Sequence, residues 1–384
     1  MKISIQHSKL AGGFERTRAV LEQAVSEKWT PGAVAAVWNV HGEAHGLPWV
    51  SVVGDRRLEP SREPLEWSTV FDLASLTKPL VTTTLAARLV ERGLMDWTTP
   101  VRSILDAPEE WNGIELWHLL SHTAGFQAWS PFWQELQSEF GPELSSVSIR
   151  RRAEAMRARV LRQVPETAPG SRTLYSDVSF LALGFIIEQV LGMRLDHAWN
   201  ELGFEARFRP VHRSPSLRQP VDDRCAATEA SEWRGGVMQG EVHDENCWSM
   251  GGVAGHAGLF GSADQVIEIV NALFAGRLFS DAIANMIFAR VTPSSGDPRT
   301  IGWDIPSGES SSAGAMLAAR RGVVGHLGFT GTSLWVDRQS GWAFLLLTNR
   351  VHLGRENVGI RQFRPLFHQA AIADLGIDRF SSLQ

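Results

Sequence analysis

Ser75 and Lys78 stand three residues apart in the segment FDLASLTKPL. Positions three apart share a helix face, so the lysine amine can reach the serine hydroxyl. A serine is a weak nucleophile until a neighbouring base takes its proton. Lysine can be that base once burial or another cation lowers its pKa; arginine cannot, because it keeps its proton in proteins. A helix start here adds free N–H groups and the positive end of the helix dipole, both favourable to negative charge near Ser75. The spacing alone fits a capping serine beside a surface lysine equally well.

Composition favours the chemical reading. The 384 residues include 37 Lys and Arg, and four of these are lysines: Lys2, Lys9, Lys28 and Lys78. Of the four, Lys78 is the one with a serine three positions before it. There is one tyrosine, Tyr175, beside 18 Phe and 15 Trp. Tyr175 follows Pro169-Gly170 and precedes a candidate helix, where its hydroxyl can relay a proton as no phenylalanine can. Asp177, two residues on, fits either a helix cap or a site carboxylate. A third element, GHLGFTGTSLWVD, carries His326, Leu327, Gly328 and Phe329 on a strand candidate. Gly328 lets substrate approach the backbone, the Phe329 N–H can contribute to an oxyanion hole, and His326 is a donor to substrate or a structural histidine.

In this order the three elements resemble the signatures of the serine β-lactamase and DD-peptidase superfamily: S-x-x-K, Tyr/Ser-x-Asn and K-T-G. The Tyr form of the second box is similar to class C β-lactamases and their esterase relatives. LWHLLSHTAGF (116–126), PGSRTLYSD (169–177), GEVHDENCWSMGGVAGHAGLFGS (240–262) and TGTSLWVDRQSGWAFLLLTNRVH (330–352) extend the resemblance over nearly the whole chain. It implies an α+β fold: an antiparallel sheet flanked by helices, a mainly helical lobe, and the active site between them. It implies Ser75 as nucleophile, Lys78 and Tyr175 as the proton-transfer pair, and the Ser75 and Phe329 amides as the oxyanion hole. Asp177, His326 and Gly328 are implied in substrate binding. Two departures matter. Asp177 stands where the box has Asn, so an acceptor-only carboxylate there either stabilises a charged Lys78 or favours a substrate amine, and His326 stands where K-T-G has its lysine. No lysine follows Lys78, so efficient β-lactam hydrolysis is not expected.

Helices are predicted over 14–28, 75–92, 149–162, 178–191 and 356–375, and strands over 31–40, 49–53, 322–328, 332–337 and 342–348. Strands at both ends and helices between them predict a single catalytic domain of two lobes. An α/β lobe comes from about 1–73 and 263–384, and a helical lobe from about 74–262. The stretch 205–262, interrupted by prolines and ending in clustered glycines, has little periodicity and reads as functional or disordered. The six arginines of 149–162 read as a solvated charged face.

With 43% hydrophobic and 21% charged residues and a formal charge of −5, the chain reads as globular, with neither a nucleic-acid-binding nor a membrane-spanning signature. Two cysteines are too few for a disulfide framework, and the N-terminus lacks a signal-peptide h-region, so a cytoplasmic location is expected. Cys225, His243, Cys247 and His256 match no common zinc spacing; no metal or organic cofactor is expected. His243, Asp244 and Glu245 line the site rim or brace a loop. Arg350 binds a substrate carboxylate or lies on the surface. The expected activity is an esterase or amidase acting on small acyl substrates through an acyl-enzyme on Ser75. The alternatives are a D-amino-acid peptidase acting on cell-wall fragments, a transacylase, and a penicillin-binding sensor without turnover. The expected partner is a small ester or peptide; the sequence says nothing of oligomeric state.

Overall fold

The computed structural model describes residues 13–41, 48–211, 224–308 and 311–376. Six strands form one sheet: β1 Gly32–Asn39, β2 Trp49–Arg57, β3 Glu63–Pro64, β4 Val323–Leu327, β5 Ser333–Asp337 and β6 Trp342–Thr348. Their spatial order is β3-β2-β1-β6-β5-β4 and every pairing is antiparallel. The first and last parts of the chain therefore meet at the β1–β6 pair, where Ala33 faces Thr348 and Asn39 faces Trp342.

Both sheet faces are covered, so the central strands are apolar throughout rather than alternating. On one face Ala33, Ala35 and Val37 pack with Phe344 and Leu346 against Leu21 and Ala24 of the Glu15–Ser26 helix and Phe363 and Phe367 of the Ile360–Asp374 helix. On the other, Val34, Ala36, Leu345 and Leu347 join the larger core containing Leu76, Leu80 and Phe180. The site-bearing segments lie on that second face. No helix among the described residues is long and apolar enough to cross a membrane.

The predicted elements are present, with three differences. The 75–92 helix is three pieces: a 3-10 turn Ala74–Leu76, a π-helical turn Lys78–Thr83 and an α-helix Thr84–Glu91. Every residue from 78 to 83 is buried, so apolar periodicity could not report the wider turn. Thr83 Oγ1 donates to Lys78 O (2.9 Å), so a side chain takes up one of the carbonyls.

The 149–162 helix (Ile149–Leu161) does not carry all its arginines in solvent: Arg152 and Arg159 are buried. Arg152 donates to the carbonyls of Val147, Ser249 and Val211, and Arg159 pairs with Glu135 and Glu139. These arginines tie the Ile149–Leu161 helix to the segments around it.

The stretch 205–262 holds short strands Arg207–Phe208, Ala227–Ser231, Gly236–Gln239 and Leu259–Gly261 and the helix Glu245–Ser249. Leu259–Gly261 pairs with Phe71–Asp72, immediately before Ser75. Positions 212–223 of that stretch, and the N-terminal residues used to judge a leader, lie outside the described residues.

Candidate active site

Ser75 is placed by a tight turn. Ala74 has φ 48°, a left-handed conformation that residues with a Cβ seldom adopt. Asp72 Oδ1 accepts from Ala74 N (2.9 Å), and Thr77 Oγ1 donates back to Ala74 O (2.7 Å). The chain thus leaves the short strand and enters the first helical turn with Ser75 half-buried at the cleft.

Lys78 follows one turn later and is fully buried. Its ammonium donates to Ser75 Oγ (2.9 Å) and to His256 O (3.2 Å), and lies 2.7 Å from Asp177 Oδ1. Burial pushes the Lys78 pKa down; the Asp177 carboxylate, with Tyr175 beside it, pushes it up and prevails, leaving it above the ordinary lysine value. At neutral pH Lys78 is an ammonium ion paired with Asp177.

Tyr175 lies with its ring centroid 4.8 Å from Lys78 Nζ. Its flanking backbone is pinned to the 122–128 segment: Leu174 N donates to His122 O (3.0 Å), Ser176 N to His122 Nδ1 (3.0 Å) and Asp177 N to Ala128 O (2.8 Å). Ser176 caps the Asp177–Leu191 helix through Ser179 N, so Asp177 is spared for Lys78. Burial raises the phenol above its usual pKa and Lys78 opposes that rise, so the hydroxyl is protonated at neutral pH.

His122 and His326 flank the phenol, with ring centroids 4.6 Å and 5.8 Å from that of Tyr175. Burial holds both imidazoles well below the usual histidine pKa, and Lys78 adds to this in each. His326 Nδ1 is bonded to Leu327 O (2.8 Å), while the buried Nε2 has no partner among the described residues.

The end of β4 approaches Ser75 closely. A Cβ on Gly328 would stand 2.0 Å from Thr332 Oγ1 and 2.7 Å from Leu73 O, so glycine is required for this contact. Thr330 Oγ1 donates to Asp72 O (2.8 Å) and Thr332 Oγ1 to Leu73 O (3.2 Å), tying the turn after β4 to the segment before Ser75. Among the described residues the N–H groups of Ser75 and Phe329 find no acceptor. The Phe329 ring is half exposed, between His243 (5.6 Å) and the Arg350 guanidinium (4.8 Å).

The structure therefore gathers Ser75, Lys78, Tyr175, Asp177, His326 and Gly328, with Phe329 at the mouth. Asp177, expected at the substrate or beside a charged Lys78, has one oxygen on Lys78. Arg350 is neither exposed nor a free anion anchor: it is buried and donates to the carbonyls of Phe329, Arg355 and Asn357. His243 pairs with Glu229 (2.9 Å) behind Phe329, and Asp244 caps the Glu245–Ser249 helix while pairing with His256 (2.8 Å).

Cys225, His243, Cys247 and His256 do not converge. The cluster of potential ligands found among the described residues is Asp177, Asp244 and His256, with one donor atom each within 4.8 Å of one another. The Lys78 ammonium is already paired with Asp177 and an Asp244 oxygen with His256, so this is an ion-pair network that a metal ion would have to break.

Sequence reading missed two arginines. Arg299 lies with its guanidinium 5.5 Å from the Tyr175 ring centroid and pairs with Asp304. Arg364, on the last helix, reaches the Gly328 carbonyl. Neither sits in a local motif; each reaches the site only through the tertiary fold.

A family model described as Beta-lactamase matches residues 17–366. A putative D-alanyl-D-alanine carboxypeptidase of Salmonella typhimurium is 28% identical over 319 residues, covering 74% of this chain and 70% of the relative. Among solved structures, EstCE1, a hydrolase with promiscuous acyltransferase activity, superposes with TM-score 0.66 at 23% identity, over 91% of this chain and 98% of its own. The octameric penicillin-binding protein homologue from Pyrococcus abyssi gives TM-score 0.68 at 18% identity, over 94% of this chain and 77% of its own. The chain belongs to the beta-lactamase family and is a serine hydrolase of that family.

Proposed function

We propose that the protein transfers acyl groups through Ser75, acting first as an esterase or amidase on small acyl substrates. The observation that carries this reading is the 2.9 Å contact of Lys78 Nζ with Ser75 Oγ, made by a lysine that is wholly buried.

Ser75 Oγ bonds to the substrate carbonyl carbon. Lys78 hands one proton to Asp177, and the lone pair so freed takes the Ser75 proton, so Lys78 is an ammonium again once the new bond has formed. The oxyanion lies against the N–H groups of Ser75 and Phe329. Tyr175 gives its phenolic proton to the leaving group and is reprotonated by Lys78, which recovers the proton held on Asp177. Water then attacks the acyl-enzyme, its proton travels the same route, and Ser75 is released.

Ester substrates are favoured by His326. A neutral imidazole, unlike the lysine of K-T-G, supplies no charge for a substrate carboxylate. A second reading, a D-amino-acid peptidase, is favoured by Arg299, which sets a cation beside Tyr175. The likeness to a putative carboxypeptidase supports the same alternative. A panel of nitrophenyl esters and D-Ala-D-Ala peptides separates the two. Turnover of esters with peptides left intact supports the first reading. Release of D-alanine at higher kcat/KM replaces it with the second. A persistent penicillin adduct with neither activity would indicate a sensor.

A further inference from the structure

We propose that Arg364 is a positioning residue of the oxyanion hole: by hydrogen-bonding the Gly328 carbonyl it aims and strengthens the Phe329 N–H of the same peptide unit. The inference rests on the reading of Ser75 and Phe329 given above.

Arg364 projects from the Ile360–Asp374 helix beneath the end of β4 and is 8% exposed. Its Nη2 donates to Gly328 O (2.6 Å) and to Thr332 O (2.7 Å). Among the described residues no carboxylate pairs with it, and its Nε has no acceptor. The charge that acts on it is another cation, Arg350. A buried guanidinium without a counter-ion is a poor stability device, since its desolvation is costly and two neutral carbonyls repay it only in part. What it does achieve is a charge-assisted bond to one particular peptide.

That peptide joins Gly328 to Phe329. In a planar trans unit the C=O and N–H point in opposite directions. The Gly328 carbonyl accepts from Arg364 and from Gly331 N (3.0 Å), so both donors fix the N–H of Phe329 on the other side. Strand register says where that side is. Gly325 exchanges both backbone bonds with Asp304, outside the sheet, whereas Gly328 N donates inward to Thr332 O (2.8 Å). Alternation along the strand then turns Phe329 N–H to the open edge. β4 is an edge strand, and Leu73 O and Ala74, the residues leading to Ser75, lie close to Gly328. Hydrogen bonds in series polarise one another, and a charged donor at the carbonyl end makes the N–H at the other end a stronger donor to a developing oxyanion.

The test uses the full chain with Arg364→Met and Arg364→Lys, each shown folded by circular dichroism and by one-to-one fluorophosphonate labelling at long times. Measured are kcat and KM for a nitrophenyl ester, and Kd for a boronic acid that forms a tetrahedral adduct with Ser75. Arg364→Met should lower kcat about 10- to 100-fold and weaken the boronate by a similar factor, with KM within about twofold; Arg364→Lys should recover part of both. If Arg364→Met does not fold, Arg364→Lys carries the test, with a several-fold loss of kcat and of boronate affinity expected at unchanged KM. Wild-type kcat and boronate affinity in a folded variant would overturn the inference, as would equal losses in KM and melting temperature that lysine does not recover. Failure of the underlying reading looks different: Ser75→Ala would still be labelled.

Discussion

Lys78 Nζ lies 2.7 Å from Asp177 Oδ1 and 2.9 Å from Ser75 Oγ, so one buried ammonium bridges the serine hydroxyl and a carboxylate. The family box carries an amide at the position of Asp177. Here a carboxylate holds Lys78 charged at rest, and on the proposed mechanism Asp177 must take a proton from Lys78 before the amine can accept that of Ser75.

Asp177→Asn removes the largest upward push on the Lys78 pKa and leaves burial, which pushes it down, opposed by Tyr175 alone. The variant should show a rise in kcat/KM with pH as Lys78 deprotonates, at a pH below the ordinary lysine value of about 10.4. The wild-type protein should show no Lys78 limb in that range. Stability carries the same sign. A raised folded pKa means that the Lys78 contribution is present below the unfolded value and is lost as pH climbs through the folded one. Melting temperatures between neutral and strongly alkaline pH check this.

Tyr175→Phe keeps the ring against His122 and Lys78 and removes only the hydroxyl. Turnover should fall about 10²- to 10⁴-fold, as for loss of a general acid–base group, with unfolding free energy changed by about 1 kcal/mol or less. Ester kinetics beside urea denaturation measure both.

The sequence made Ser75, Lys78, Tyr175 and Gly328 legible because each needs a particular side chain at a fixed local spacing. Scarcity helped: one tyrosine, and one lysine beyond residue 28, had few places to be. The sheet was legible because WAFLLLT and PGAVAAVWNV are short apolar runs bounded by turn residues, the length and flanks of buried strands. The Asp177–Lys78 pair stood in the sequence as one reading beside a substrate amine or a helix cap; only the fold, in which Ser176 takes the cap, chooses between them. Arg152, Arg299 and Arg364 were not legible. An arginine spent on distant carbonyls or an aromatic face looks like a surface charge until the chain is folded.

Three buried imidazoles should make the protein acid-sensitive. Burial depresses the pKa of His122 and His326 well below the usual value and takes His368 to about 3. The unfolded chain binds protons near pH 6.5 while these sites remain neutral, so stability is held above that pH and declines as pH falls below it. Unfolding free energy measured by urea from pH 7 to pH 4 should decrease steadily. His368→Gln, remote from Ser75 on the last helix, should make the slope shallower.

Gly328→Ala tests the close approach of β4 to the Ser75 segment. The added methyl would meet Thr332 Oγ1 and the Leu73 carbonyl at 2.0 and 2.7 Å, so the strand end must move away from Ser75. Loss of one oxyanion donor predicts a fall in kcat of about 10²- to 10³-fold. A lowered melting temperature should accompany it, and calorimetry with ester turnover reads the two together.

If Ser75, activated by Lys78, forms the acyl-enzyme, it is the residue that an active-site serine reagent must modify. Intact-protein mass spectrometry after exposure to a fluorophosphonate tests this most directly. The wild-type chain should gain the mass of one adduct, mapping to the peptide that contains Ser75, and Ser75→Ala should gain none. An undiminished adduct on Ser75→Ala would contradict the account.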